Sequence, residues 1–324
     1  QRPRVVFDFR TGRTSYDGGR YFYALAEAFR QAGVLVELVG NPWFLAQTAR
    51  KYWGRAALAM DHVAAQREDN ASDRSTATLS DEPATEASLV FGVDPPDGAA
   101  VFPYPMHPRS YSQVELLRLR EMRAPLDVAR VFFSGNLREK YENPTLDRDF
   151  RVIPRPTLVK TVAANFSDQA LAQQTDCQVL LARPDGPVRK PIVLNDARVC
   201  PIPPERWLEA LARFDFFLCC PGASHPLCHN AVEAMAVGAI PIIEFPKLFW
   251  PPLEDDVNAV TFQGSDGLIK ALDRALKMSV AQRASMSRAV VAYYDQHLCI
   301  RKFVGSWLQR GASNAIYMPY VPAA

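Results

Sequence analysis

Residues 214–245 read FDFFLCCPGASHPLCHNAVEAMAVGAIPIIEF. The run Phe214 to Cys220 is almost wholly apolar, as a strand covered on both faces of a parallel sheet must be. Pro221-Gly222 ends it, and a helix is expected next, with Ser224 as N-cap, Pro226 in the first turn and Gly238 as the stop. Ala239 to Phe245 then forms a second buried strand. A strand, a Pro-Gly turn and a helix start aim backbone N–H groups and the positive helix end at the mouth of the sheet, where an anion belongs. Ser224 and His225 are placed to contact a phosphoryl oxygen, and His225, His229 and Glu233, each four apart, fall on one helix face. Glu233 sits amid Ala, Val and Met, where an unpaired charge is costly, so its carboxylate is expected to meet a ligand.

Outward from this stretch the same alternation continues in both directions. Upstream, Ala129 to Phe133 reads as a strand running into Ser134-Gly135-Asn136, followed by a helix over 156–165, a strand over 178–182 and a helix from Pro203 or Pro204. At the beginning, Arg4 to Phe9, a glycine-containing loop, an amphipathic run from Tyr21 to Phe29, and Val34 to Val39 make one βαβ unit. Residues 66–88 are nearly devoid of large apolar side chains and read as a surface loop. The expected organisation is a Rossmann-like domain over 1–127 and a second over 128–295, with parallel sheets facing a central cleft. A last helical region, about 296–324, packs back on the first domain.

The 324 residues suit two α/β domains, and 48% hydrophobic with 22% charged residues is globular composition. A formal net charge of +2 gives no general nucleic-acid signal. The six cysteines form no CxxC knuckles and read as buried thiols of a reducing compartment. With no apolar run near bilayer length and no signal-peptide pattern, the expectation is a cytoplasmic protein, or one peripheral to the inner face of a membrane. Trp43, Phe44, Tyr52 and Trp53 suit membrane contact, acceptor stacking or a core helix alike.

The segment 221–243, with Glu233-Ala234-Met235 followed by Gly238-Ala239-Ile240-Pro241 and an apolar strand, resembles the donor-binding element of GT-B glycosyltransferases, both family 4-like and exostosin-like. The resemblance extends to 262, is loose over 129–212 and is only architectural before that. It implies transfer of a sugar from a nucleotide-activated donor to a glycan, a lipid-linked sugar or a small acceptor, with the nucleotide sugar as substrate and neither cofactor nor metal. It also implies that Glu233 bonds the donor ribose, while Gly222, Ser224, His225, His229, Asn230, Gly135, Asn136, Arg138 and Lys140 surround its phosphates. Many retaining members carry a glutamate where this chain has His225, so that carboxylate is missing here. His-Pro at 225–226 resembles the phosphate-contacting motif of CMP-sugar sialyltransferases, and His229-Asn230 is similar to Kdo transferases, which leaves the donor open.

If transfer inverts the sugar, a base must deprotonate the acceptor. Asp17 is the first candidate, with His107 and Asp8 behind it and His225 on the donor side; Gly18-Gly19 would admit a sugar close to the backbone. Asp17 equally suits an N-cap or Asx turn ahead of the helix at Arg20, and Arg138 and Lys140 equally suit a solvated face. A catalytically inactive scaffold with the same fold is the rival reading.

Overall fold

The computed structural model describes residues 2–65, 77–82, 88–92, 95–114, 116–123, 129–172, 190–310 and 315–318. It divides into two compact units, residues 1–108 with 296–324, and residues 109–295.

In the first unit β1 (Arg4–Asp8), α1 (Tyr16–Gln31), β2 (Leu35–Leu38), α2 (Pro42–Ala49), α3 (Tyr52–Leu58), β3 (Val63–Ala65) and β4 (Ala77–Ser80) build a parallel sheet in the order β3-β2-β1-β4. Val5, Phe7 and Phe9 bury against Phe22, Leu25 and Phe29 of α1, with Phe7 and Phe29 edge to face at 5.3 Å. Short strands β5 (Leu89–Phe91) and β6 (Ala100–Val101) follow. Residues 77–80, expected within a surface loop, instead pair with β1, and Leu79 is wholly buried. The next residue, Asp81, accepts from the Arg10 and Thr11 backbone N–H groups at 2.7 and 2.9 Å and from the Thr11 hydroxyl. A carboxylate with three donors pins the start of the loop after β1.

The second unit opens with α4 (Pro108–Tyr111) and α5 (Leu116–Met122), then β7 (Val131–Gly135), α6 (Thr145–Phe150), α7 (Arg155–Asn165), β8 (Ala170–Ala172), β9 (Ile192–Asp196), α8 (Trp207–Leu211), β10 (Phe216–Cys219), α9 (His229–Ala236), β11 (Ile240–Ile243), β12 (Val260–Thr261), α10 (Gly264–Lys277) and α11 (Val280–Tyr293). Its sheet is wholly parallel in the order β12-β11-β10-β7-β9-β8, and every residue of β7, β9, β10 and β11 is buried. The unit begins nearer residue 109 than the expected 127 because the α4–α5 segment bonds into it. Gln113 donates to the Pro204 carbonyl at 2.6 Å, and Arg123 donates to the Ala236 carbonyl and grips Asp295 through two nitrogens. The strand expected over 178–182 lies outside the described residues.

Helix α12 (Ile300–Gln309) and strand β13 (Ile316–Met318) complete the first unit, with Trp307 edge to face on Phe29 at 5.8 Å and β13 inserted between β5 and β6. Helices α11 and α12 are separate because a π-helical turn over Tyr294–Leu298 stands between them. Ser279 starts the first with a capping box to Gln282. Cys200 is disulfide-bonded, which corrects the reading of all six cysteines as thiols, while Cys219, Cys220, Cys228 and Cys299 are free. Among the described residues no helix is long and apolar enough to cross a membrane.

Candidate functional site: the strand ends of the second unit

From β7 the chain passes first to β8 and β9 on one side and then to β10 on the other. The carboxyl ends of β7 and β10 therefore bound a topological switch point, the place where open parallel sheets bind ligands. Arg155 spans it. Its Nε donates to the Pro221 carbonyl beyond β10 at 3.0 Å, and its Nη1 to the Asn136 carbonyl beyond β7 at 3.2 Å. Its Nη2 approaches the Cys228 sulfur at 3.7 Å, and its plane lies 4.0 Å from the Tyr141 ring centroid.

Arg155 is 5% exposed, and among the described residues its guanidinium meets no carboxylate. Three neutral acceptors leave one N–H on each terminal nitrogen of the five-donor fork. Arg155 is also the first residue of the 11-residue α7, and Cys228 is the N-cap of α9, with no side-chain cap bond there. A buried cation and two positive helix ends thus coincide. The carboxylate on the adjoining strand end, Asp196, is engaged by Arg198, whose hydrogen bond holds it below the usual carboxylate range. Gly135 makes room for the arrangement: a Cβ there would lie 3.3 Å from Arg155 Nη1 and 3.0 Å from the Phe133 ring.

Beside the cation lie two amides. Asn195 donates to the Ser134 hydroxyl and the Cys200 carbonyl, and Asn230 donates to the Ser134 carbonyl. Among the described residues the side-chain oxygens of both are buried without a hydrogen-bond partner. The strand ends therefore present donors and positive charge next to two unsatisfied acceptors.

Glu233 of α9 is fully buried. Ser110 of α4 donates to its Oε1 at 2.8 Å; Trp207 of α8 donates to Oε2 at 2.6 Å, and His229 Nδ1 lies 2.9 Å from the same oxygen. Both oxygens are thus met by the protein itself, where burial among apolar neighbours led to the expectation of a ligand. Ser110 and Trp207 were invisible as its partners because they stand 123 and 26 residues away in the chain.

The helix after β10 starts at His229, not at Ser224, so Ser224 is an exposed turn residue and Pro226 precedes the helix. His225 consequently does not share a helix face with His229 and Glu233. It is buried in the turn, its Nδ1 accepting from the Leu227 N–H at 3.2 Å and its ring edge to face with Phe150, and burial pushes its pKa down to about 4. A Cβ at Gly222 would meet the His225 carbonyl at 2.6 Å, which explains the glycine. The turn 221–228 is a packed loop because His225 and Leu227 prefer the interior to the helix that their neighbours would allow. Asn136 accepts from the Arg138 N–H; Arg138 and Lys140 are both exposed, Lys140 lying 5.1 Å from the Tyr141 ring centroid.

In the first unit Asp17, Gly18 and Gly19 all have positive φ (51°, 68° and 86°), and the Asp17 carboxylate pairs with Arg20 at 2.8 Å. A Cβ at Gly19 would lie 2.3 Å from the Gly54 backbone nitrogen, so that glycine serves helix packing against α3. Asp8 is bonded by Arg10 through two nitrogens, and His107 packs edge to face on Trp53 at 5.3 Å. Among the described residues no group of three or more His, Cys, Asp or Glu side chains is placed to hold a metal ion.

Neither a family model nor a curated protein matches the sequence. Solved structures similar to the chain include a glycosyltransferase from Rickettsia africae at 9% identity, covering 95% of this chain and 97% of that one with a TM-score of 0.44. HepE from Anabaena in complex with UDP aligns at 11% identity over 96% of this chain and 100% of that one, with a TM-score of 0.41. Sucrose-phosphate synthase from Thermosynechococcus elongatus gives 12% identity, 96% and 99% coverage and a TM-score of 0.43.

Proposed function

We propose that the chain is a glycosyltransferase of the GT-B type that takes a nucleotide-activated sugar at the strand ends of its second unit. The observation that carries the reading is Arg155: a buried guanidinium without a carboxylate partner among the described residues, set at a topological switch point beside two helix N-termini. A phosphate or diphosphate there would supply the missing charge and accept the remaining N–H groups. The unsatisfied oxygens of Asn195 and Asn230 would accept hydrogen bonds from hydroxyl or ring N–H groups of the same ligand. The motif over 221–243 and two parallel α/β units agree with this assignment. Positive charge at the leaving phosphate is also what sugar transfer requires, since charge develops on that group as the glycosidic bond to it breaks.

In this reading Gly135, Asn136, Gly222, His229 and Asn230 frame the donor pocket, and Arg138 and Lys140 lie on its rim. His225, neutral above pH 4 or so, supports the turn or donates one neutral hydrogen bond. The acceptor is a glycan, a lipid-linked sugar or a small molecule. The rival scaffold reading draws on Glu233, whose carboxylate is already occupied by Ser110, Trp207 and His229.

The test is a thermal-shift series with UDP, GDP, CMP, ADP and dTDP on the wild type and Arg155→Lys, followed by donor hydrolysis with the sugar form of whichever nucleotide binds. Stabilisation that grows with ligand concentration and is lost in Arg155→Lys, together with donor turnover, supports the enzyme. Binding without turnover supports the scaffold, and no shift at millimolar nucleotide refutes the site.

A further inference from the structure

Between Glu37 and Asp61 the sequence contains no acidic residue, and this span holds α2 and α3. The two helices turn Phe44, Thr48, Gly54 and Ala57 inward. Their outward side chains are Pro42, Trp43, Ala46 and Ala49, then Arg50, Lys51, Tyr52, Arg55 and Ala59. The exposed face is therefore aromatic, alanine and cationic, with no carboxylate; its neutral polar groups are the Tyr52 phenol and the half-buried Gln47 amide. Residues 49–52 are exposed in succession, so the faces of the two helices are continuous at the elbow.

Ordinary solvated helix faces carry both signs of charge and many neutral polar groups. This one differs in two further respects. Trp43 at 53% and Tyr52 at 59% are, with Tyr16 at 40% at the start of α1, the exposed large aromatic side chains among the described residues. Trp43 closes on the Gly12 segment that leads to Tyr16: its ring would lie 3.1 Å from a Cβ at Gly12. Second, the cations of Arg50, Lys51 and Arg55 fall within six consecutive residues and have no ion-pair or hydrogen-bond partner among the described residues.

We propose that the outer face of α2–α3 seats on an anionic lipid surface. Exposed Trp and Tyr rings prefer the headgroup boundary, where the apolar body is buried and the polar edge stays wet. Unneutralised Lys and Arg beside them complement acidic headgroups. Small alanines between the large groups let the face approach the headgroup layer, and the amphipathic pair lies on the membrane rather than crossing it. A sugar-binding shelf would look different: it would need side-chain carboxylates and several amides beside the rings to take hydroxyl groups, and this face has no carboxylate and only the half-buried Gln47 amide. The inference is independent of the donor site in the second unit.

Sedimentation of the full chain with vesicles of phosphatidylcholine alone, and with 30% phosphatidylglycerol, tests it (about that fraction gives a strongly negative surface). Binding is expected to the anionic vesicles only and to fall with added salt. Lys51→Gln/Arg55→Gln should weaken partitioning about 25-fold, at about fivefold per cation, the equivalent of about 1 kcal/mol each. Trp43→Ser/Tyr52→Ser should also release the protein, with unchanged circular dichroism showing that the fold is kept. Equal binding to neutral vesicles, no binding to anionic vesicles in 0.1 M salt, or loss on charge removal without any effect of the aromatic pair would each overturn the proposal.

Discussion

Glu233→Ala separates two roles for the buried carboxylate. Three donors converge on its two oxygens, from Ser110 at 2.8 Å, Trp207 at 2.6 Å and His229 at 2.9 Å. Hydrogen bonds to a charged group contribute about 1.5–3 kcal/mol each when the donors are buried. Ser110 is 2% exposed and cannot recover its bond from water; the His229 side chain is 30% exposed and can. Counting Ser110 and Trp207 fully and His229 hardly at all, Glu233→Ala should destabilise the second unit by about 4 kcal/mol. Glu233→Gln should cost about half of that, because the amide oxygen still serves Trp207 and the Ser110 hydroxyl can rotate to accept from the new NH2. Urea unfolding followed by tryptophan fluorescence reads both, with Trp207 in direct contact with the change. If Glu233→Ala costs less than about 1 kcal/mol and abolishes nucleotide stabilisation, the carboxylate is a ligand contact and the internal network does not hold it.

Gly135→Ala pushes a methyl group toward Arg155 Nη1 and the Phe133 ring; nucleotide stabilisation should be lost at a stability cost of about 1–3 kcal/mol, and retained binding would show that Arg155 need not sit where it does. His225 has its pKa lowered from 6.5 to about 4, so the unfolded chain takes up its proton first. Its contribution is present above pH 6.5 and is lost as pH falls toward 4, amounting to about 3 kcal/mol; His225→Gln should flatten the stability profile in that window, and an unchanged slope would assign it to other groups. Arg283 and Asp215 pair at 3.1 Å with side chains only 6% and 7% exposed, and burial pushes the Asp215 carboxyl up while Arg283 opposes it. Arg283→Met should destabilise by about 3–5 kcal/mol by stranding that carboxyl, and Arg283→Met/Asp215→Leu should recover much of the loss in the same urea titration.

By itself the sequence determined the alternation of strands and helices and the parallel sheets. Buried strands such as Phe216–Cys219 and Ile240–Ile243 need unbroken apolar runs, and amphipathic helices such as α1 need a 3.6-residue period; both are local patterns. It also marked the segment 221–243 as the richest in chemistry. What it could not give was decided by distance along the chain. Residues 77–80 have too few apolar side chains to announce a strand, and became one because β1 offered a free edge. The turn 221–228 refused the helix that Ser224 and Pro226 invite, since burying His225 and Leu227 won over local capping preference. Glu233 needed donors from Ser110 and Trp207, which only packing could bring.

Arg155 left one local trace. A cation at the first position of a helix opposes the dipole, and here it stands between Pro154 and Pro156, which fix the backbone at that helix start. That trace says the residue is held there for some reason. Its bonds to carbonyls beyond two strands, 19 and 66 residues away, exist only once the sheet has assembled. Local propensity therefore wrote the elements, while the site belongs to tertiary structure: a switch point is made by strands that meet only in the folded sheet.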